Sequence, residues 1–300
     1  AGPKSPGGGG FLDLPPSASP IVDIGVNLCH KSFQKSLPDI VKRALDKGVT
    51  RLVITGTSER ASEAAVKMAN DPSLCVDAST NHRILYATAG VHPHDAKQWG
   101  PDTSASIKGL LQDPACVAVG ECGLDFNRNF SPPDVQERVF EEQVRLAVEL
   151  DKPLFCHERE AHTKFLEVLM RVEGVQPSRV CVHCFTGSRP ELEEYVRRGF
   201  MIGFTGCISD DKRGKALREL VALVPLGQTL IETDAPFMMP TGRKGRNEPS
   251  NLPAVLRTLS ECHGVGEEEA ADATTRNAVE FFGLEGPCSR QVSGGWELLG

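Results

Sequence analysis

Residues 116–157 read CVAVGECGLDFNRNFSPPDVQERVFEEQVRLAVELDKPLFCH and contain the unit that decides the fold. A short apolar run, Cys116–Glu121, precedes a stretch with helical spacing, Val135–Leu150, and a second apolar run, Pro153–His157, follows. Strands that are apolar throughout are typical of parallel sheets, because helices cover both faces of such sheets. This stretch therefore predicts one strand–helix–strand unit of an α/β protein.

The same unit recurs along most of the chain. Further apolar runs of this kind are Ile21–Val26, Arg51–Thr55, Ile84–Gly90, Arg179–Cys184, Phe200–Thr205 and Thr229–Asp234. Stretches with helical spacing lie between them, at Leu37–Lys47, Glu59–Ala69, Ala161–Val172, Glu191–Arg198 and Gly214–Leu223. Eight such strands predict a closed (β/α)8 barrel of the TIM type. An open doubly wound sheet is the alternative, but no G-x-G-x-x-G or P-loop motif follows any early strand.

Composition indicates one globular domain with a tail at each end. Of the 300 residues, 40% are hydrophobic and 24% are charged, as in ordinary globular proteins. Residues 1–20 are rich in Gly and Pro, which predicts a disordered tail, and a Gly-rich tail is predicted over 284–300. The folded hydrolase domain is thus expected to cover residues 21–283.

Net charge, cysteine content and hydropathy exclude several classes of protein. A net charge of −7 argues against a protein that coats nucleic acid through bulk electrostatics, while an enzyme that contacts phosphates locally stays open. Ten cysteines are too few for a disulfide scaffold, and no apolar run is long enough to cross a bilayer. We therefore expect an intracellular protein, cytoplasmic or nuclear, that is neither secreted nor inserted in a membrane.

Side chains suited to metal binding or acid–base chemistry fall at the ends of successive predicted strands. They are Asp23, Asn27, His92, His94, Glu121, His157, His183 and Asp234. The carboxyl ends of barrel strands meet on one face, where active sites are built. The imidazoles of His157 and His183 and the carboxylates of Glu121 and Asp234 form a ligand set suited to Mg²⁺, Mn²⁺ or Zn²⁺. This set predicts metal-dependent hydrolysis, since a bound divalent ion activates water and polarises a phosphoryl or carbonyl oxygen.

Alternation along the strands predicts what lies beneath these ligands. If Glu121 points into the barrel, Val117 and Val119 do so too, while Cys122 points outward. A hydrophobic floor is therefore expected under the polar rim.

Cations near the predicted barrel mouth are candidates for phosphate contacts. Arg243, Lys244 and Arg246 follow the eighth strand, and Arg159 lies two residues after His157. Guanidinium groups suit phosphate oxygens because they donate two parallel hydrogen bonds. The alternative is that the cluster after the eighth strand solvates a surface loop.

Ten ordered motifs make the chain resemble the TatD family of metal-dependent deoxyribonucleases, which have amidohydrolase-like barrels. The matching stretches are IVDIGVNL at 21–28, ITGT at 54–57, AGVHPHDA at 89–96, VGECGLDFNRNFS at 119–131, HER at 157–159, VHCFTGS at 182–188, IGFTG at 202–206, IETDAPFMMP at 231–240, RNEP at 246–249 and TRNAVEFFG at 275–283. The resemblance implies Mg²⁺-dependent hydrolysis of DNA, including 3′–5′ removal of nucleotides from single strands, with a role in DNA repair or DNA fragmentation. RNA is a further substrate to consider.

The resemblance also implies roles for individual residues. Glu121, His157, His183 and Asp234 match the family's metal ligands, and His92 matches a residue near the scissile phosphate. We expect Asp234, Glu121 and His92 to act in catalysis, with Asp234 accepting a proton from water that attacks the phosphodiester in line. His92, Arg159, Arg246 and Asn27 are expected to bind substrate. Candidates for stacking on bases are Phe126, Phe130, Phe185 and Phe237, which lie in predicted mouth loops.

Two positions depart from the family's pattern. Many members carry H-x-H on the first strand, where this chain has Gly25 and Asn27. We therefore expect a second metal to bind weakly or to arrive with substrate. Glu158 follows His157 where members usually have Cys or Ser, and alternation favours an outward position for its side chain.

Two other functions stay open at this point. The same ligands would serve a metal-dependent ester or amide hydrolase, such as an aminoacyl-RNA deacylase. A non-catalytic scaffold that binds nucleic acid or protein through the barrel mouth is the other alternative.

Overall fold

The computed structural model confirms the closed barrel and excludes the open sheet. It describes residues 15–77, 80, 82–210, 214–243 and 245–284, together with the backbone of 289–292 and 295–298. Eight parallel strands pair in chain order: β1 (Ile21–Val26), β2 (Val49–Ile54), β3 (Leu85–Ala89), β4 (Cys116–Asp125), β5 (Leu154–Arg159), β6 (Val180–Val182), β7 (Met201–Phe204) and β8 (Thr229–Ile231). Every predicted apolar run overlaps one of these strands, although β2 begins earlier and β4 and β5 end later than predicted.

The two predicted tails are only partly covered by the structure. Residues 1–14 lie outside the described residues. Within the predicted tail at 284–300, β9 (Ser289–Val292) and β10 (Gly295–Leu298) pair as an antiparallel hairpin.

Helices follow the strands and cover the outside of the barrel. They are α1 (Leu37–Asp46), α2 (Glu59–Ala69), α3 (Thr103–Leu110), α4 (Pro133–Glu149), α5 (His162–Arg171), α6 (Arg189–Arg198), α7 (Gly214–Val221), α8 (Leu252–His263) and α9 (Glu267–Phe282). The Ser58 side chain caps α2 by accepting a hydrogen bond from the amide of Ala61. Within the described residues, none of these helices is both long and apolar enough for a membrane span.

Three of the helices, α3, α8 and α9, were not predicted from the sequence. The buried face of α9 consists mostly of Ala and Thr, so its apolar periodicity is weak. Its last turn nevertheless closes the amino-terminal end of the barrel, because Phe281 and Phe282 pack in the same cluster as Phe155 of β5. The Asn277 side chain fixes the helix by donating to the carbonyl of Thr229 at 2.8 Å.

The seam between β1 and β8 is closed by backbone bonds and one buried carboxyl group. The amide of Asp234 donates to the carbonyl of Gly25 at 2.9 Å. Asp23, a sequence candidate for metal binding or acid–base chemistry, is fully buried and accepts hydrogen bonds from the amide and hydroxyl of Thr233 at 2.9 and 2.5 Å. Asp23 therefore joins the first strand to the last.

The alternation predicted for β4 holds for all but one residue. Val117 lies in the barrel interior with Phe155 and Cys181, whereas Cys122 packs outside against the helices. Val119 also packs outside, so its predicted inward position is wrong. The register of β4 against β5 shifts between Gly120 and Cys122, and one extra residue on a strand reverses the faces beyond it.

Candidate metal centre

Three imidazole rings converge on one carboxylate oxygen at the carboxyl end of the barrel. Glu121 Oε1 lies 2.8 Å from His183 Nε2, 3.2 Å from His92 Nε2 and 3.2 Å from His157 Nδ1. Glu121 and His157 lie within β4 and β5, and His92 and His183 follow β3 and β6, so segments distant in sequence meet here. Glu121 and His183 are buried, while His92 and His157 remain partly open to the mouth.

A buried glutamine of α4, Gln143, holds the backbone of Val91, which precedes His92. Gln143 is fully buried, accepts from the amide of Val91 at 2.7 Å and donates to the Val91 carbonyl at 3.0 Å. This clamp fixes the backbone immediately before His92.

Asp234 lies just after β8 and is tied to the first strand. Asn27 Nδ2 donates to Asp234 Oδ1 at 2.9 Å. Burial raises the pKa of Asp234 to about 7, although His183 and the hydrogen bond from Asn27 act in the opposite direction. Asn27, predicted to bind substrate, therefore contacts the carboxylate of Asp234.

The carboxylates and imidazoles of the centre shift each other's pKa values. Burial opposes ionisation of Glu121, but His92 and His183 outweigh it and hold the pKa of this carboxyl well below its usual range. For His183, burial opposes the charged form, but Glu232 and Glu121 raise its pKa well above the ordinary value. These shifts favour the ionised form of Glu121 and the protonated form of His183.

This donor set fits a divalent cation. His92, Glu121 and His157 each offer a ligand atom, and these atoms lie within 4.8 Å of one another. Three ring nitrogens lie around Glu121 Oε1. A divalent cation placed among them could be coordinated by this oxygen and by the lone pairs of deprotonated ring nitrogens. Of the predicted ligands, His157 and His183 each contact Glu121, and Asp234 interacts electrostatically with His183 and Glu121.

A second carboxylate, Asp125 at the end of β4, was missed by the sequence analysis. Asp125 Oδ2 lies 2.7 Å from His94 Nε2 and 3.3 Å from His157 Nε2. His157 is therefore held between Glu121 on one ring nitrogen and Asp125 on the other, which fixes its orientation. Alternation from Glu121 through Gly123 was the signal that would have placed Asp125 on the same face.

Glu232 is the other functional residue that the sequence analysis missed. Its carboxylate is fully buried, lies 3.2 Å from His183 Nδ1 and accepts a hydrogen bond from the amide of Cys184 at 2.6 Å. A Cβ atom at Gly25 would lie 2.2 Å from Glu232 Oε2, so glycine leaves the room that this carboxylate occupies. Alternation from Asp234, two residues on, was the signal that would have placed Glu232 on the same side.

The cations predicted to bind phosphate do not form one cluster in the described part of the chain. Arg159 is exposed at the end of β5. Arg246 donates to the Ser32 carbonyl and its guanidinium carbon lies 4.6 Å from the ring centre of Phe33. Lys244 lies outside the described residues.

Glu158 turns outward, as alternation along β5 favours. Its carboxylate accepts hydrogen bonds from the amide of Ala161 and the hydroxyl of Tyr195, both at 2.8 Å. Glu158 thus connects the start of α5 to α6, whereas its neighbour His157 faces the candidate metal centre.

Comparison with known proteins supports a shared origin for fold and site. The sequence model of the family described as TatD related DNase matches residues 22–283. The protein named 3′-5′ ssDNA/RNA exonuclease TatD is 44% identical in Citrobacter rodentium (strain ICC168), over 87% of this chain and 97% of the relative. Its Escherichia coli (strain K12) counterpart is 43% identical, over 87% and 98%. The crystal structure of YJJV, a TatD homolog from Escherichia coli K12, is 27% identical with a TM-score of 0.79, over 89% of this chain and all of that one.

Proposed function

Because the chain belongs to the family of TatD related DNases, we propose that it is a metal-dependent 3′–5′ exonuclease that hydrolyses phosphodiester bonds of single-stranded DNA, with RNA as a second substrate. The observation that carries this proposal is the convergence of His92, His157 and His183 on Glu121 Oε1. A DNA-repair or DNA-fragmentation role fits such an activity and is part of the proposal.

The metal would be held by Glu121, His157, His183 and Asp234, with His92 beside them. Mg²⁺ is the cation we propose, and Mn²⁺ and Zn²⁺ suit the same mixture of nitrogen and oxygen ligands. When bound, such a cation supplies Lewis-acid charge that stabilises the developing negative charge on a phosphoryl oxygen. Glu232 and Asp125 orient the ring nitrogens of His183 and His157 from behind.

Asp234 is the proposed proton acceptor. Asn27 donates to Oδ1 of this carboxylate, which leaves Oδ2 to take a proton from the attacking water. Its raised pKa, about 7, suits a group that takes and releases a proton near neutral pH. His92 and Arg159, at the ends of β3 and β5, are proposed to hold the phosphate.

The test is degradation of an end-labelled single strand after chelation and readdition of Mg²⁺, Mn²⁺ or Zn²⁺. We expect metal-dependent shortening from the 3′ end by the wild-type protein. Asp234→Asn should lower the rate by at least about 100-fold and leave the fold intact, because the amide cannot accept the proton. Asp46→Asn, which changes an exposed carboxylate on α1, is the matched control.

Three results would contradict the proposal. Full activity of Asp234→Asn would remove this residue from the mechanism. Turnover of an acylated RNA in the absence of any strand shortening would favour the esterase alternative, and no turnover of either substrate with any of the three metals would favour the scaffold.

A further inference from the structure

Two exposed phenylalanine rings stand at the mouth of the barrel. Phe130 and Phe237 are 54% and 52% exposed, whereas Phe126 is half-buried and Phe185 is buried. Among the described residues, Phe130 and Phe237 are the only exposed Phe, Tyr or Trp side chains, which makes them candidates for contact with a ligand. Of the four phenylalanines that the sequence placed near the mouth, these two are the exposed ones.

The two rings flank the metal centre from opposite sides. Phe130 lies in the loop after β4 and Phe237 in the loop after β8, and these strands face each other across an eight-stranded barrel. The ring centre of Phe130 is 4.7 Å from that of His94, which is 4.3 Å from that of His92. The backbone amide of Phe237 donates to the carbonyl of Asp234 at 3.0 Å. The ring of Phe130 is therefore next to that of His94, and the backbone of Phe237 is bonded to that of Asp234, while the ring centre of Phe237 lies 5.8 Å from that of His30.

Both rings are held by anchored backbone. Lys97 Nζ donates to the carbonyl of Phe130 at 3.0 Å, and Asn247 Nδ2 donates to the carbonyl of Phe237. A ring that is already positioned loses little conformational freedom when it binds, which favours stacking on a flat partner. Arg128 adds a cation, since its guanidinium carbon lies 6.0 Å from the ring centre of Phe130.

We propose that Phe130 and Phe237 stack on the two nucleotide bases that flank the scissile phosphate, one on each side of the metal centre. The inference rests on the proposed exonuclease function and adds the residues that select single strands. Stacking requires a free base face, and paired bases within a duplex stack on their neighbours instead. Because every base has such a face, the two rings would bind DNA and RNA with little sequence preference.

The first measurement is binding in the presence of a chelator, so that the strand is not cut. Strands carry 2-aminopurine at the last or the second-last position from the 3′ end, and its fluorescence falls when it stacks. We expect wild-type protein to quench both positions. Phe130→Ala and Phe237→Ala should each abolish quenching at a different one of the two positions and weaken binding about 10-fold.

Two controls separate stacking from general damage. Met170→Ala removes an exposed apolar side chain on α5 and should bind as wild type does. Phe130→Trp and Phe237→Trp, which keep an aromatic ring, should retain the quenching and affinity that the alanine variants lose. In the metal-loaded enzyme, each alanine variant should lose about 10-fold in kcat/KM on a normal strand and nothing further on a strand whose matching base is replaced by an abasic residue.

The outcomes distinguish the inference from the function it rests on. Unchanged quenching and affinity in both alanine variants would overturn the inference while strand degradation still supports the exonuclease. Quenching that depends on the two rings, in a protein that cuts no strand, would overturn the exonuclease and leave the stacking sites in place.

Discussion

Glu121 shows how much one residue depends on its surroundings. Its proposed role as a ligand follows from carboxylate chemistry near a strand end, which the sequence alone indicates. The partners that make it useful, namely His92, His157 and His183, are set by contacts between strands. Residues that act behind them, such as Glu232, carry no local signal beyond strand alternation.

Asp23 gives a prediction at the residue scale. Burial raises the pKa of this carboxyl from 3.8 to about 8. Between these values the unfolded chain has lost the proton and the folded chain has kept it, so the contribution of Asp23 to stability is lost as pH rises. Relative to Asp23→Asn, which cannot ionise, wild-type protein should lose up to about 1.4 kcal/mol of unfolding free energy per pH unit between pH 5 and 8.

Urea unfolding of both proteins at pH 5, 6.5 and 8 measures this difference. Taking the difference removes the titration of all other groups that the two proteins share. Parallel stability curves for wild type and Asp23→Asn would show that Asp23 titrates normally in the folded state.

At the scale of elements, β4 matters most for the site, because its register shift points the Glu121 side chain toward the barrel interior. Gly120 has a φ of +152°. A Cβ atom at this position would lie 2.3 Å from the carbonyl oxygen of Phe155 on β5. Only glycine fits here, and the irregularity that this glycine permits explains why simple alternation placed Val119 on the wrong face.

Gly120→Ala tests this role of β4. We expect a loss of at least about 2 kcal/mol of unfolding free energy, since both the backbone conformation and the space exclude a methyl group. The matched control is Gly109→Ala in α3, where a Cβ atom would meet nothing within 4 Å. That change should raise stability by about 0.5–1 kcal/mol, because alanine favours a helix. Equal effects of the two substitutions on urea unfolding would contradict the assignment.

For the whole molecule, closure of the barrel couples stability to the metal centre. The ligands come from strands spread over the entire sheet, so a cation that binds them binds only the folded chain. At 100 times its dissociation constant, such a cation should add about 2.7 kcal/mol of stability. Thermal unfolding with and without chelator should then show a rise in Tm of roughly 5 °C on adding metal.

Glu121→Gln should remove most of that rise, because the amide lacks the charge that the cation requires. Glu173→Gln, on the exposed surface, should keep it. Equal metal-dependent shifts in Tm for both variants would place the cation somewhere other than this centre.

The sequence alone determined the (β/α)8 barrel and the identity of its candidate ligands. Both depend on local information, namely the period of apolar residues and the chemistry of side chains at strand ends. The sequence also places Glu121, His157, His183 and Asp234 one to a predicted strand end, which is why they were proposed as ligands.

Only the tertiary structure decided how these residues meet. It placed the Glu232 carboxylate in the space that a side chain at residue 25 would occupy, and it paired Asn27 with Asp234. It also left Phe130 and Phe237 exposed. Each of these facts depends on distances between segments far apart in sequence. Such distances are set by strand register and barrel closure, and a shift of one residue, as in β4, changes which side chains face the site.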